Sequence, residues 1–377
     1  MKFNVASKAL YATLAGVSKV INSKNSITIL DNFLWEVEDN MLKITASDTE
    51  NTLSATLPIS DVDGEGSFCV NARRICDIAK ELPDIDAKIT VDENTHAMQI
   101  EFPGGVFDMM TLEGIESPRT IEEENPEQTM TIEISGSALV HGIENTIFAA
   151  GTDEIRPQMM GILWDIHPEG ITFVTTDTRR LVKYVDNNYA PGITASFIFP
   201  IKPAVILKAL VGKEEKVTIC ISTHSAVFST ENLTLNCRFI KGKYPDYNRV
   251  IPKSNPYEVI VDRAAALTAL RRVSVCTDPS HGLVKFRFAN DKMYLKVDDP
   301  NMNTFAHEEV PCAFSSDHEI VIGFNANYLI EIFTTLSTDN VVICLADSSR
   351  PGLFQPDENP ANTELVMLLM PMGIQEF

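Results

Sequence analysis

The sequence predicts an α+β protein made of three tandem copies of one domain, each with two helices packed on antiparallel sheet. Three observations carry this. Four landmarks recur in the same order at intervals of about 125–129 residues. The strand-like runs alternate apolar and polar residues, as a sheet with one buried face requires. Two segments with an apolar stripe at helical spacing accompany those runs in every copy. The interval is the length of a domain, so each copy has its own core and is not a solenoid turn.

The first landmark is a short strand running into an amphipathic helix: FNVASKALYATL at 3–14, IEISGSALVHGI at 132–143 and VIVDRAAALTAL at 259–270. The second is a run of strands with an Asp at a turn: FLWEVEDNMLKITASDTENTL from Phe33, ILWDIHPEGITFVTTDTRRLV from Ile162, and VKFRFANDKMYLKVDDPNMNTF from Val284. Trp35 and Trp164 are 129 residues apart, and so are Asp48 and Asp177. The third is a second helix: VNARRICDIAKEL at 70–82, FPIKPAVILKAL at 199–210, FNANYLIEIFTTL at 324–336. Asn71, Pro200 and Asn325 hold equivalent places, where a helix start favours a capping or φ-fixed residue. The fourth is a closing block of strands that starts KITVDENTHAMQIEF, KVTICISTHSAVFST and NVVICLADSSRPGLF. It ends MMTLEGIESP, NCRFIKGKYP and VMLLMPM.

Polar, proline-bearing joints at 117–129 and 245–256 place the domains at 1–126, 127–250 and 251–377. At 377 residues and 44% hydrophobic the chain is long and apolar enough for several cores. No run approaches the length of a membrane span, and MKFNVASKALYATL lacks a signal-type cleavage site, so a cytoplasmic location is expected. The seven cysteines are odd in number and form no CxxC. Buried free thiols are the expectation, with no disulfide frame, no metal and no cofactor.

The net charge of −21 argues against nucleic acid binding by the whole surface. The basic residues are nonetheless sorted by element. Lys8, Lys19 and Lys24 lie on or after the first helix of copy one, and Arg73, Arg74 and Lys80 on its second. Arg156 follows the first helix of copy two, while Lys202 and Lys208 sit on its second. Arg263, Arg271 and Arg272 accompany the first helix of copy three. Strands and turns hold much of the acid, including Glu36, Glu38, Asp39, Asp92, Glu93, Asp298 and Asp299. Helices gathered on one side would make that side basic relative to the sheets. Such a surface attracts phosphates without reading bases.

Size then makes a demand. A domain of this length is roughly 35 Å across, and six in a ring leave a hole of roughly the same width, enough for a duplex. Six domains are two chains joined head to tail, which close as a two-fold ring. Phe107, in the edge-strand candidate GGVFDMMTL, and Arg271, Arg272 and Val275, at the helix end RRVSVCT, are candidates for that joint.

MKFNV at the start, TILDNFLWEV at 28–37, TTDTRRLV at 175–182, KYPDYNRVIP at 243–252, IGFNANYL at 322–329 and LLMPM at 368–372 together resemble the bacterial beta sliding clamp family. These are the beta, processivity subunits of the replicative DNA polymerase III holoenzyme. The resemblance covers the whole chain. It implies three tandem DNA-clamp domains, a ring-forming head-to-tail homodimer, inner helices and an outer sheet. It also implies sequence-independent enclosure of double-stranded DNA.

The family also has a groove that holds short linear peptides from the polymerase alpha subunit, the clamp loader and repair polymerases. Carried over position by position, this implies a groove of Thr176, Thr178, Arg179, Arg180 and Leu181, with Pro245, Arg249 and Val250, and with Leu368, Leu369, Met370, Pro371 and Met372. Apolar side chains would take Leu or Phe anchors, adaptable Met suits several partners, and rim arginines would hold backbone carbonyls or carboxylates. The same carry-over puts Lys24, Arg73, Arg74, Lys80, Arg156 and Lys202 at the DNA-facing surface. Three departures stand out. The family's usual Asp-Gly-His-Arg-Leu reads DTRRL here. Gly373 stands where a basic residue is common and the chain continues GIQEF. Pro157 and Gln158 replace aromatics that touch DNA in some relatives.

An enzyme is the rival class. His96, His141, His167, His224, His281, His307 and His318 show no metal-ligand spacing, and GxxxxGK[ST], GxGxxG and GxSxG are absent. Asp298 and Asp299 align with the turn Asp of the other copies, so turn chemistry explains them. The remaining alternative is a peptide-binding adaptor that never meets DNA, which the acidic total favours and the basic helices oppose.

Overall fold

The structure is a computed structural model and describes residues 1–114, 129–278, 280–299, 303–374 and 377. Apart from Thr129, the joint expected at 117–129 lies outside the described residues, as do Gln375 and Glu376 of the GIQEF segment. The three copies share one element order, the first with two additional short strands. The first runs β1 (Lys2–Ala6), α1 (Ser7–Val17), β2 (Asn32–Glu38), β3 (Met41–Ser47), β4 (Asn51–Pro58), β5 (Ser60–Asp63), β6 (Gly66–Asn71), α2 (Ala72–Glu81), β7 (Asp86–Asp92), β8 (Ala97–Phe102), β9 (Gly105–Met110) and β10 (Leu112–Glu113). The second runs β11 (Met130–Ser135), α3 (Gly136–Thr146), β12 (Gly161–His167), β13 (Gly170–Thr176), β14 (Arg180–Asp186), β15 (Ala195–Pro200), α4 (Ile201–Leu210), β16 (Lys216–Ile221), β17 (Ser225–Ser229) and β18 (Leu233–Arg238). The third runs β19 (Tyr257–Asp262), α5 (Arg263–Ser274), β20 (Leu283–Ala289), β21 (Lys292–Asp299), β22 (Thr304–Phe314), β23 (Ile320–Asn325), α6 (Ala326–Thr335), β24 (Asn340–Leu345), β25 (Gly352–Pro356) and β26 (Thr363–Leu369).

The helix starts follow the capping chemistry of the sequence. Asn71 Oδ1 accepts from the Arg74 amide at 3.1 Å. Asp262 Oδ1 accepts from Ala265 at 2.7 Å, and Asn325 Oδ1 from Asn327 and Tyr328 at 2.9 and 3.2 Å. Each satisfies amides that a helix start otherwise leaves without a partner. Pro200 directly precedes α4. Two-residue turns at Asp39-Asn40 and Asn290-Asp291 take positive φ at both positions, the conformation that matches strand twist in a tight hairpin.

The chain divides into two compact units, and the middle copy contributes residues to both. The first unit is Met1–Val140 with Lys202–Phe239. Among the described residues it holds a five-stranded sheet ordered β5-β1-β7-β8-β9 and a nine-stranded sheet ordered β10-β6-β2-β3-β4-β18-β17-β16-β11. Leu10, Leu14 and Val17 of α1, with Ile75 and Ala79 of α2, are buried together with Phe33, Trp35 and Ile44 of the strands. The Trp35 and Phe68 rings lie 5.7 Å apart.

The second unit is His141–Ile201 with Ile240–Phe377. Its sheet runs β15-β12-β13-β14-β26-β25-β24-β19-β22-β21-β20-β23. Trp164 sits among Phe173, Phe197 and Phe199, at 4.6, 5.5 and 5.6 Å between centroids. The end of α3 seats on β13 because Gly142 has no side chain, since a Cβ there would lie 2.5 Å from the Phe173 ring.

Sheet continuity across the copies was not apparent in the sequence. β4 pairs antiparallel with β18, Leu53 opposite Leu235, and β14 pairs with β26, Leu181 opposite Leu368. Equivalent strands of two copies thus use the same device, and each edge is paired rather than left as an open ladder. Two expectations change. Asp298 and Asp299 are not in the turn: they end β21, opposite Phe305 and Thr304. The joint at 245–256 is not only polar: the adjoining Tyr244 and its own Tyr247 are buried in an apolar cluster with Leu163, Val174, Leu181, Ile198 and Leu368.

Candidate functional site

The pairing of β14 with β26 brings the arginine turn beside the 368–372 segment. Asp177 organises the turn. Its Oδ1 accepts from the Arg179 and Arg180 amides, both at 2.9 Å. The Thr176 hydroxyl donates to the Arg180 carbonyl at 2.7 Å and accepts from the Thr178 amide at 3.1 Å. This geometry forces Thr178 to φ +80°, and Thr49 in the equivalent turn of copy one sits at +79°. Positive φ is costly for a β-branched residue, so glycine would be the relaxed choice at 178.

The two adjacent arginines do different things. Arg179 is exposed, and its carbonyl accepts from the Met370 amide at 2.8 Å. Arg180 was expected at the rim of the groove, yet it is 7% exposed. Its Nε donates to Asp177 at 3.0 Å and its Nη2 to the Phe148 carbonyl at 2.6 Å, while Nη1 is bonded to Glu331 of α6. The guanidinium lies 4.4 Å from the Tyr328 ring centroid and 5.3 Å from that of Phe148. A planar fork with five donors suits such a hub, where a lysine would not. Arg180 therefore fastens the turn to α6 and is not a rim donor. Phe148, Tyr328 and Glu331 had no local sequence signal for this role.

The apolar part is layered. Leu181, Leu368 and Leu369 are buried, with Leu181 and Leu368 in the cluster that also holds Tyr244 and Tyr247. At its margin Met370 and Val250 are 43% and 55% exposed, and Pro245, Pro371 and Met372 are half-buried. Arg249 is exposed and pairs with Asp246 at 2.8 Å. The Tyr247 hydroxyl donates to Asp165 at 2.9 Å, and burial with that carboxylate pushes its pKa up to about 12. Tyr247 was missed as a structural anchor, although an aromatic between Asp and Asn in a proline-bearing segment is the signal that would have found it. The whole makes a buried floor with exposed methionine, valine and arginine at its edge, a surface for an extended apolar peptide. A separate recess of about 670 Å³, lined by His141, Asn145, Tyr184, Asp339, Asp357 and Glu358 among others, contains none of these groove residues.

The cations expected at DNA divide similarly. Lys24, Arg73, Arg74 and Lys80 are exposed in the first unit. Lys202 is not available: its ammonium donates to the Val20 carbonyl at 2.5 Å, Asn22 Oδ1 at 2.7 Å and Asp48 at 2.5 Å. All three of its donors are used, and Asp48 is 6% exposed, so Lys202 neutralises a buried carboxylate. Arg156 bonds Asp153 through Nε and Nη2 at 3.0 and 2.8 Å. The Ile155 amide, and then Arg156, hold that carboxyl below its usual range. Pro157 and Gln158 open a single 3-10 turn.

Phe107 lies on β9, at the edge of the five-stranded sheet, and stacks on Phe102 at 5.5 Å. At the end of α5, Arg271 is exposed and Arg272 pairs with Glu308 through Nε at 2.6 Å. Val275, beyond the helix, is 83% exposed, and Phe305 64%. Among the described residues no group of three or more His, Cys, Asp or Glu is placed to hold a metal ion, and no helix is long and apolar enough to cross a membrane. All seven cysteines are free; burial pushes the Cys76 and Cys312 thiols up to about 11.

Three sequence models of the DNA polymerase III beta subunit match this chain: the N-terminal domain at residues 1–117, the central domain at 133–246 and the C-terminal domain at 248–372. The beta sliding clamp of Pseudomonas putida is 26% identical over 376 residues, covering 97% of this chain and 99% of the relative. That of Vibrio cholerae is 26% identical over 375 residues, covering 99% and 100%. The crystal structure of the DNA polymerase III subunit beta from Pseudomonas aeruginosa superposes with a TM-score of 0.91 at 26% identity, over 99% of this chain and 100% of that one. A Pseudomonas aeruginosa sliding clamp bound to griselimycin gives 0.92 at 25% identity, with the same coverage. With three domain matches in order and relatives covered end to end, the chain belongs to the DNA polymerase III beta subunit family, the beta sliding clamps.

Proposed function

We propose that this sliding clamp works as a head-to-tail homodimer whose ring, built from domains at 1–126, 127–250 and 251–377, encloses double-stranded DNA. It tethers the replicative polymerase alpha subunit, the clamp loader and repair polymerases through short linear peptides. It confers processivity by enclosure and catalyses nothing itself, in the cytoplasm. Lys24, Arg73, Arg74 and Lys80 are the cations offered to phosphate, a sequence-independent attraction that weakens with salt. Arg156 and Lys202, whose charges are matched, contribute less. Phe107, with Arg271, Arg272 and Val275, supplies the joint between chains.

The observation that carries the tethering role is the meeting of Arg179, the Pro245–Val250 stretch (245–250) and the 368–372 segment around one buried apolar floor. Thr178, Arg179, Val250, Met370 and Met372 would touch the peptide, with Leu181, Leu368 and Leu369 beneath. The griselimycin held by the Pseudomonas aeruginosa relative supports a ligand site on this fold. The test is sedimentation equilibrium joined to peptide binding. The species in solution should have twice the 41.8 kDa of one chain. Removing residues 370–377 should abolish binding of a fluorescein-labelled polymerase peptide with Leu and Phe anchors, and leave that mass unchanged. A monomer, or a truncated chain that still binds the peptide, refutes the reading.

A further inference from the structure

The segment after β26 is tied down well beyond the groove. Met370 donates to the Arg179 carbonyl, and Met372 donates to the Gly323 carbonyl of β23, each at 2.8 Å. Gly323 is what lets the segment approach. A Cβ there would lie 2.6 Å from Ile374 Cγ2 and 2.9 Å from both Leu283 Cδ1 and the Met372 carbonyl oxygen. Its φ is not in the positive region, so space, not backbone freedom, is the reason for a glycine at this point.

Phe377 is also anchored. Its ring centroid lies 5.0 Å from the Arg287 guanidinium and 5.7 Å from the Lys296 ammonium. Tyr294, opposite Arg287 in the ladder, is 4.5 Å from the same guanidinium. Arg287 therefore contacts two aromatic rings, and its Nε is buried with no hydrogen-bond partner among the described residues. Attraction to the rings is what compensates that loss.

Gly323 pairs with Lys285, which pairs with Lys296, so these three residues lie in one row across β23, β20 and β21. Strands are spaced by about 4.8 Å, so Gly323 and Lys296 lie roughly 10 Å apart across the row.

We propose that Arg287, Tyr294 and Lys296 form a docking site for the chain's own Phe377, and that this anchor helps hold the groove wall at Met370 and Met372. The consequence for peptides rests on the groove reading above, while the anchor itself does not. Without Phe377, the Met372–Gly323 bond loses an anchor beyond it and frays more readily.

The test uses the full chain and Phe377→Ala, with Arg287→Lys as a second variant that keeps the charge but loses the planar face. Hydrogen exchange at the Met372 amide should accelerate about 5-fold or more in Phe377→Ala, the scale of one cation–π contact, with a smaller effect in Arg287→Lys. The labelled polymerase peptide should bind about 3-fold more weakly to Phe377→Ala. Unchanged exchange at Met372 in both variants overturns the docking site. Faster exchange with unchanged peptide affinity overturns the link to the groove. If the chain lacking residues 370–377 still binds the peptide, the groove reading fails, and the exchange result still decides the docking site alone.

Discussion

Replacing Arg180 by alanine should unfold the second unit several degrees earlier, whereas the same change at Arg179 should not. Arg180 gives up three charge-assisted bonds, to Asp177, Glu331 and the Phe148 carbonyl. Bonds to charged groups contribute about 1.5–3 kcal/mol each when buried, but these three are not equal. Glu331 is 46% exposed and regains water, so its share is about 0–1 kcal/mol. Asp177 keeps the Arg179 and Arg180 amides, so its charge is not stranded. The Phe148 carbonyl loses this donor, and the Tyr328 and Phe148 rings lose the cation they cover. Together these come to about 3 kcal/mol, which in a unit of this size lowers Tm by roughly 6–12 °C. The assay is thermal melting followed by tryptophan fluorescence in a Trp35→Phe background, so that Trp164 reports the second unit alone. Arg179→Ala should melt within about 1 °C of the parent, as exposed substitutions do, and should bind the polymerase peptide less tightly. An Arg180→Ala variant that melts with the parent, or an Arg179→Ala variant that falls as far, would show that the division of labour between the two residues is wrong.

Lys202→Met should cost about 1–3 kcal/mol, since Asp48 loses its matched cation and keeps only the Glu50 and Asn51 donors; Lys24→Glu should leave Tm unchanged and weaken DNA binding, so equal melting losses would contradict both assignments. Thr178→Gly should stabilise the second unit by about 1 kcal/mol through relief of the positive φ, read as a higher denaturation midpoint; a lower midpoint would mean the threonine is not strained. Tyr184 and Tyr247 are pushed up to about 12 by burial, from an ordinary value near 10. A raised folded pKa means their contribution is intact below about pH 10 and is lost as pH rises through about 12. Absorbance titration at 295 nm should therefore show these two tyrosines ionising only with alkaline unfolding, and early ionisation of all tyrosines would refute their burial.

The repeat was legible because its markers are local and redundant. Trp35 and Trp164, Asp48 and Asp177, and the capping residues Asn71 and Asn325 each announce an element within a few residues. What escaped depends on distant partners. Nothing near Arg180 says that Phe148 and Glu331 will reach it, so a pair of arginines read as two rim donors. Lys202 fits the pattern of a solvated helix lysine, and only the fold brings Asp48 of another copy to its ammonium. The continuation of β4 into β18 and of β14 into β26 leaves no mark on the strands, because an alternating pattern sets the buried face and not the neighbour. Tyr247 and the strained Thr178 were different. The Asp-Thr turn stands in both copies as DTEN and DTRR, and the tyrosine stands in a polar segment, so both signals were in plain view.

The most direct measurement of the central claim is retention of the labelled protein on DNA of two topologies. The clamp loader would place it on a nicked circular plasmid, gel filtration would separate bound from free protein, and a restriction enzyme would then linearise half the sample. A closed ring should stay with the circle and run off the linear form, at salt that disrupts simple phosphate contacts. Equal retention on both forms, or none on the circle, would contradict enclosure.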